Sequence, residues 1–324
     1  MSQTLLSTTI NNSQGVSATL LNYGARLVSL KIPIAGKPTE MLLGYRDFRY
    51  YLSDPFYMGA VCGRVCNRIS NARFEFNGNR YQLDNNHGNH CLHGGSNGLS
   101  EQFWQIEQQT DKQVCLALDS PHLDQGFPGN LSLTAKYTLD NNRLSIEMQA
   151  KTDRVTPVNL THHAYFNLGQ QSCEDLLLKL NSTGFLARDS QGIPTGQIYP
   201  FSELGVDANK PVGVRDFWQQ GGYQQIIDQQ GVDHCFVLRE SSQQIPKAHL
   251  WARQTGVEMR FYSNQPTMQI YTGTFLDKPF VPNQGICLEA QSYTDAPNQS
   301  EFPSIMLEPG HCYKHKTVFE FSVK

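Results

Sequence analysis

Apolar side chains in this chain alternate with polar ones at a period of two over most of its length, and helical periodicity is nearly missing. Val28, Leu30 and Ile32 alternate with Ser29 and Lys31. Leu131, Leu133, Ala135, Tyr137 and Leu139 fall on one strand face; after a turn at residues 140–142, Leu144, Ile146, Met148 and Ala150 fall on the next. Val257, Met259 and Phe261 repeat the pattern, as do Phe319, Phe321 and Val323. Residues 74–83 read as a hairpin, because Asn77-Gly78 tolerates the left-handed backbone that a tight two-residue turn demands. Strands of this kind bury one face and wet the other, so they close a core only by stacking as sheets. Helical spacing is confined to residues 215–220 and 224–230, a turn or two each. No Pro/Gly/Ser-rich linker, charge block or internal repeat divides residues 1–324. The chain therefore reads as one all-β domain, a large antiparallel β-sandwich.

Composition narrows the function classes. The 324 residues are 39% hydrophobic and 17% charged, which supplies a sizeable core and is too apolar for a disordered chain. A formal net charge of −3 and a pI near 6.4 give no basic field to attract nucleic acid or an anionic membrane. No apolar run approaches the roughly 18 residues of a transmembrane helix, and the first residues lack the basic start and apolar stretch of a secretory signal. The eight cysteines (62, 66, 91, 115, 173, 235, 287 and 312) are far apart, and several sit inside apolar strand runs. A small disulfide scaffold packs them more densely, so these read as free thiols in a reducing compartment, the cytoplasm.

The histidines are concentrated. His87, His90 and His93 share one glycine-rich segment, while His162-His163 and Asp233-His234 lie in strand-like ones. Zinc at His87, His90 and His93, beside Cys91, has suitable donor atoms. Yet positions i and i+3 of a strand face opposite ways, and i and i+6 of a helix are about 600° apart. Histidines hydrogen-bonded within a loop fit the same letters. Gly94-Gly-Ser96-Asn-Gly98 matches a nucleophile elbow, but that device needs a strand before the serine and a helix after it in an α/β fold. Two sugar-directed readings remain. Polar side chains with aromatic neighbours (Phe103-Trp104, Tyr165-Phe166, Tyr271) suit a carbohydrate-binding module, and equally suit core aromatics. An imidazole with a carboxylate suits acid–base catalysis on a sugar. Histidine exchanges protons near about pH 6.5, and a held glutamate such as Glu289 takes an acidic proton from an anomeric hydroxyl. That chemistry requires no nucleophile, metal or redox cofactor.

Taken in order, the motifs resemble the aldose 1-epimerase (galactose mutarotase) family over nearly the whole chain. They are Asn22-Tyr-Gly-Ala-Arg26, Gly63-Arg-Val-Cys-Asn67-Arg68-Ile, Leu92-His-Gly-Gly95, Gly126-Phe-Pro-Gly-Asn130, Asn159-Leu-Thr-His-His163-Ala-Tyr-Phe-Asn-Leu168, Asp233-His-Cys-Phe236, Gln269-Ile-Tyr-Thr-Gly273 and Leu288-Glu289-Ala-Gln-Ser-Tyr-Thr-Asp295-Ala-Pro-Asn298. The resemblance implies a mutarotase-like β-supersandwich with an open cleft across one sheet. By position it makes Glu289 the base toward the C1 hydroxyl and His163 the acid toward the ring oxygen. His93 then shares in stabilising charge at that oxygen, and Asn67, Arg68, Asp233 and Gln269 grip the remaining hydroxyls. Arg68 is expected to keep Glu289 ionised.

The implied activity is interconversion of the α- and β-anomers of a free aldohexose, galactose or glucose, without cofactor or metal. The expected partner is a small-molecule sugar, with no nucleic acid and no membrane, for a monomer or homodimer. The family usually carries Asn where this chain has His162 and His90, and often Pro where it has Thr294; both histidines stand beside the presumed site in sequence. Two alternatives stand beside this reading. An epimerase of a phosphorylated hexose needs a cationic pocket, and residues 86–95 offer no Lys or Arg. A sugar-binding protein keeps the cleft without turnover.

Overall fold

A computed structural model describes residues 4–242 and 244–324. Its largest sheet has nine strands in the spatial order Gln105–Gln109, Gln113–Ser120, Leu131–Asp140, Arg143–Thr152, Tyr313–Val323, Val257–Ser263, Ala248–Ala252, Leu176–Leu180 and Val212–Gly213. A second sheet has six: Tyr165–Phe166, Ile286–Gln291, Thr267–Tyr271, Asp233–Leu238, Ser182–Arg188 and Pro194–Pro200. Ser7–Asn11, Ser17–Leu21, Leu27–Ile34 and Lys37–Glu40 form a third, of four strands. Both large sheets are antiparallel throughout. The protein is an all-β sandwich, as the alternation implies.

Local rules account for the details. Every second residue from Leu131 to Leu139 is buried, and so are Leu144, Ile146, Met148 and Ala150 on the paired strand. Val323 departs from its expected place and is 42% exposed, because it ends its strand at the rim of the core. Phe76 pairs with Asn79, which leaves Asn77 and Gly78 as the hairpin turn at φ 48° and 73°. The two short helical segments appear as Asp216–Gln219 and Gln224–Gln229. One continuous apolar cluster takes residues from all three sheets, among them Ile10, Leu30, Leu133, Ile146, Phe236, Leu288 and Phe319. Burial of such side chains contributes about 25 cal/mol per Å² of apolar surface. All eight cysteines are free thiols, six of them buried, with Cys115 and Cys312 half-buried. Among the described residues no helix is long and apolar enough to cross a membrane.

The six-stranded sheet divides its two faces by register. Phe166, Ile286, Leu288, Ala290, Met268, Ile270, Phe236 and Phe185 point into the shared core. Their neighbours Tyr165, Cys287, Glu289, Gln269, Tyr271 and Asp233 therefore point the other way. That second face is the floor of a cleft.

A buried ion pair ties one wall of the cleft to the body. The Arg26 guanidinium donates to Asp54 Oδ2 at 2.6 Å and to Met58 O at 3.0 Å, and both side chains are fully buried. It also reaches Glu101 Oε1 at 3.1 Å. Asp54 accepts from the N–H groups of Phe56 and Met58, at 3.1 and 2.6 Å, and from the Tyr45 hydroxyl at 3.0 Å. Phe56 and Tyr57 are thereby set against the cleft. Removing Asp54 leaves Arg26 with only one carboxylate contact, the longer one to the partly exposed Glu101, and breaking a buried pair typically costs about 3–5 kcal/mol. Asp54→Ala is expected to lower unfolding stability by that order in denaturant titration; a loss below about 1 kcal/mol would show that Glu101 or water relieves the Arg26 charge.

Candidate active site

The cleft, about 740 Å³, is lined by Asn67, Arg68, His93, His163, Asp233, Gln269 and Glu289 together. The six-stranded sheet places three of them. Gln269 lies directly opposite Glu289 on the adjacent strand, and Asp233 opposite Tyr271. The shared face puts Gln269 Nε2 within 2.6 Å of Asp233 Oδ1, to which it donates. His163 follows the short strand Thr161–His162, and its Nε2 stands 3.6 Å from Glu289 Oε1. Its Nδ1 stands 3.5 Å from the Cys287 thiol, two residues from Glu289 on the same strand face.

His93 and Asn67 arrive from loops whose backbones touch. The Asn67 carbonyl accepts from His93 N–H at 3.0 Å, and Asn67 N–H donates to His93 Nδ1 at 3.3 Å. A Cβ on Gly94 would meet Gly63 O at 1.9 Å, so only glycine permits this approach. Asn67 at φ 57° and His93 at φ 51° carry left-handed backbone, the kind of strain that concentrates at functional sites. The His93 and His163 rings meet edge-on at 5.3 Å, with Tyr57 packed 4.6 Å from His93 and Tyr165 5.0 Å from His163.

Burial governs the proton affinities. It pushes the Glu289 carboxyl well above its usual range, with the Asp233 charge adding to the rise and Arg68 opposing it. The expectation that Arg68 keeps Glu289 ionised is thus overturned: the guanidinium acts in the stated direction but is outweighed by desolvation. Burial lowers His163 to about 4 and His93 well below 6.5. Asp233 behaves differently. Its burial favours the neutral acid, but Arg68 and Arg188 more than offset this and lower its pKa.

These protonation states bear on metal binding. Ligand atoms of His93, His163 and Glu289 lie within 4.8 Å of one another, a different trio from His87, His90 and His93. His93 Nδ1 accepts a backbone proton, so the neutral ring carries its own proton on Nε2. That nitrogen points a donor into the cleft instead of a lone pair. His87 and His90 exchange backbone hydrogen bonds with each other at 3.1 and 3.0 Å, as loop histidines do.

Other sequence signals sort out by orientation. His162 turns away from the cleft into the core, 5.9 Å from the Tyr137 ring. His90 stays at the cleft rim, where Nδ1 accepts from Asn71 N–H at 3.1 Å and Nε2 meets Gln191 Oε1 at 2.8 Å. Ser96 is exposed and donates to Asp84 Oδ2 at 2.6 Å, with a three-residue 3-10 turn after it, so the elbow geometry is missing. Arg188 lines the cleft at the end of the strand Ser182–Arg188, where four consecutive buried residues precede it and no alternation marks it. Tyr57 was also missed, and no motif marks it.

Comparison with known proteins adds an independent finding. The family model described as aldose 1-epimerase matches residues 7–320. Galactose mutarotase of Rattus norvegicus is 35% identical over 96% of this chain and 92% of its own length. Aldose 1-epimerase of Escherichia coli K12 is 35% identical over 97% and 94%. The solved structure of an aldose epimerase homologue from C. elegans superimposes with a TM-score of 0.93 at 29% identity, covering 99% of each chain.

Titration calorimetry with Zn²⁺ is expected to show no stoichiometric binding. A one-to-one isotherm that His93→Gln abolishes would contradict the proton placement on His93.

Proposed function

The chain belongs to the aldose 1-epimerase family, and from that membership we propose how the cleft divides the work. The protein is an isomerase, a mutarotase that interconverts the α- and β-anomers of a free aldohexose such as galactose or glucose. In our reading Glu289 takes the proton of the C1 hydroxyl while His163 delivers one to the ring oxygen. The C1–O5 bond breaks, leaving the open aldehyde. Rotation about C1–C2 followed by reclosure, with the proton roles reversed, gives the other anomer. His93 Nε2–H donates toward the ring oxygen and stabilises charge as it develops there. Asn67, Arg68, Asp233 and Gln269 bind the remaining hydroxyls and supply orientation. The observation that carries this reading is the 3.6 Å separation of His163 Nε2 and Glu289 Oε1 on the cleft floor.

The pair shares one proton over a wide pH range. Burial favours carboxylic acid with neutral imidazole; the reactive form, carboxylate with imidazolium, holds the same proton number. Sugar hydroxyls that solvate the charges shift the balance toward the reactive form. Nothing in this scheme uses a cofactor or metal. The unpaired cysteines support a cytoplasmic setting. Strands from both ends of the chain contribute to a common core, which supports a single domain over residues 1–324. We take the protein as a monomer or homodimer.

Polarimetry of freshly dissolved α-galactose or α-glucose tests the assignment. Glu289→Gln and His163→Asn are each expected to slow mutarotation at least ~10²-fold, the low end for losing an acid–base partner. Activity near wild type in either would remove that residue from the mechanism. A rate no faster than buffer despite sugar binding would indicate a binding protein.

The pH profile of kcat/KM is expected to be bell-shaped. Below about 4, the lowered value of His163, a second proton enters and no base remains. Above the raised value of Glu289 the shared proton leaves and no acid remains. A half-maximal acid limb close to the ordinary histidine value of about 6.5 would contradict the burial argument.

A further inference from the structure

We propose that Arg188 is a positioning residue for sugar recognition, acting through Asp233 and not by touching the sugar itself. The inference rests on the reading of Asp233 as a hydroxyl-binding carboxylate. Arg188 ends the strand Ser182–Arg188, beside the strand that carries Asp233, and its side chain is 9% exposed in the cleft wall. Protein groups engage three of its nitrogens. Nε donates to His234 Nε2 at 3.2 Å, Nη2 donates to Gln229 Oε1 at 2.7 Å, and Nη1 stands 3.7 Å from Asp233 Oδ2. Gln225 Nε2 donates to the Arg188 carbonyl at 2.7 Å. The short helix Gln224–Gln229 thus supplies two side chains to one arginine.

The geometry brackets Asp233 from two sides. Gln269 donates to Oδ1 and Arg188 faces Oδ2, so rotation of the carboxylate is opposed at both oxygens. Arg68 approaches from the two-residue strand Arg68–Ile69 and is held differently. Its Nη1 donates to Asn67 Oδ1 at 3.5 Å, and among the described residues no other protein hydrogen bond engages its guanidinium. Arg188 is thus tied to the protein at three nitrogens and Arg68 at one. Arg68, Arg188 and His234 act on Asp233 to favour its charge, and that charge acts in turn on Glu289, His163, His87 and Tyr271 around it. Both arginines favour its ionised form, and burial opposes it.

A carboxylate that grips a hydroxyl remote from C1 and O5 is used equally in ground and transition states, so its loss raises KM and spares kcat. Arg188→Met is expected to raise KM for galactose or glucose about tenfold, with kcat within about twofold of wild type. Arg188→Lys, which restores the charge but not the fork, is expected to fall between. With one cation removed, Asp233 protonates more readily, so KM of the Met variant is expected to begin climbing at a higher pH than that of wild type as the solution is acidified. Thermal melting verifies that both variants fold, and the Lys variant carries the test if the Met variant does not. Unchanged KM in a folded Arg188 variant, while Asp233→Asn raises KM, overturns the role of Arg188 alone. Unchanged KM in Asp233→Asn overturns the reading of Asp233 beneath it. A fall in kcat and melting temperature with KM constant makes Arg188 a structural residue and also overturns the proposal.

Discussion

A carboxyl group has been carried into the dry interior of a sheet, and the cleft is organised around that cost. Ile286–Gln291 is buried at every position, with Ile286, Leu288 and Ala290 facing the core and Cys287, Glu289 and Gln291 facing the opposite way. Because successive side chains of a strand diverge, one short segment anchors the sandwich and presents the reactive carboxyl. The core-facing residues hold the strand rigid. Glu289 inherits that rigidity without needing a network of its own, and its buried Oε2 has no hydrogen-bond partner among the described residues.

The electrostatic layout follows from the same burial. Carboxyl and imidazole are each driven toward their neutral forms, in opposite directions on the pH scale, which widens the interval over which the pair holds a single proton. Asp233, equally buried, stays ionised because two guanidiniums face it. Two carboxyl groups on the same face of one sheet, with one strand between them, thus receive contrary instructions: one is kept as a reservoir for a proton, the other as a fixed charge. The cations responsible come from Arg68 and Arg188, outside the histidine-rich loop. A search for positive charge in residues 86–95 alone undercounts them.

Much of the architecture was legible because strand alternation is a local property with a global consequence. The Leu131–Leu139 face, the Asn77-Gly78 hairpin and the two brief helical segments need only neighbours in sequence to be recognised. Seven cleft residues were reachable through ordered motifs. The remainder depended on distances the sequence does not encode. Desolvation of Glu289 reflects how deeply the strand is buried, so the balance against Arg68 could not be judged in advance. His162 and His163 are adjacent in sequence, yet one packs against Tyr137 and the other lines the cleft, because a strand separates neighbours by half a turn. Tyr57 sits between Phe56 and Met58, whose amides Asp54 holds, and its ring packs on His93 and His163 from distant segments, a tertiary relation with no signature around residue 57.

The hydrogen bonds at Asp54 have a further consequence for motion. Its carboxylate holds the amide protons of Phe56 and Met58 while being clamped by a guanidinium with no solvent exposure. A local swing of the loop that released those amides would leave the buried carboxylate short of two donors and pull Met58 O away from the guanidinium. Their exchange with solvent deuterium should accordingly follow cooperative opening of the whole sandwich and not segmental fluctuation. The aromatic wall beside the sugar would then be as durable as the fold itself, with no softer state of its own to visit.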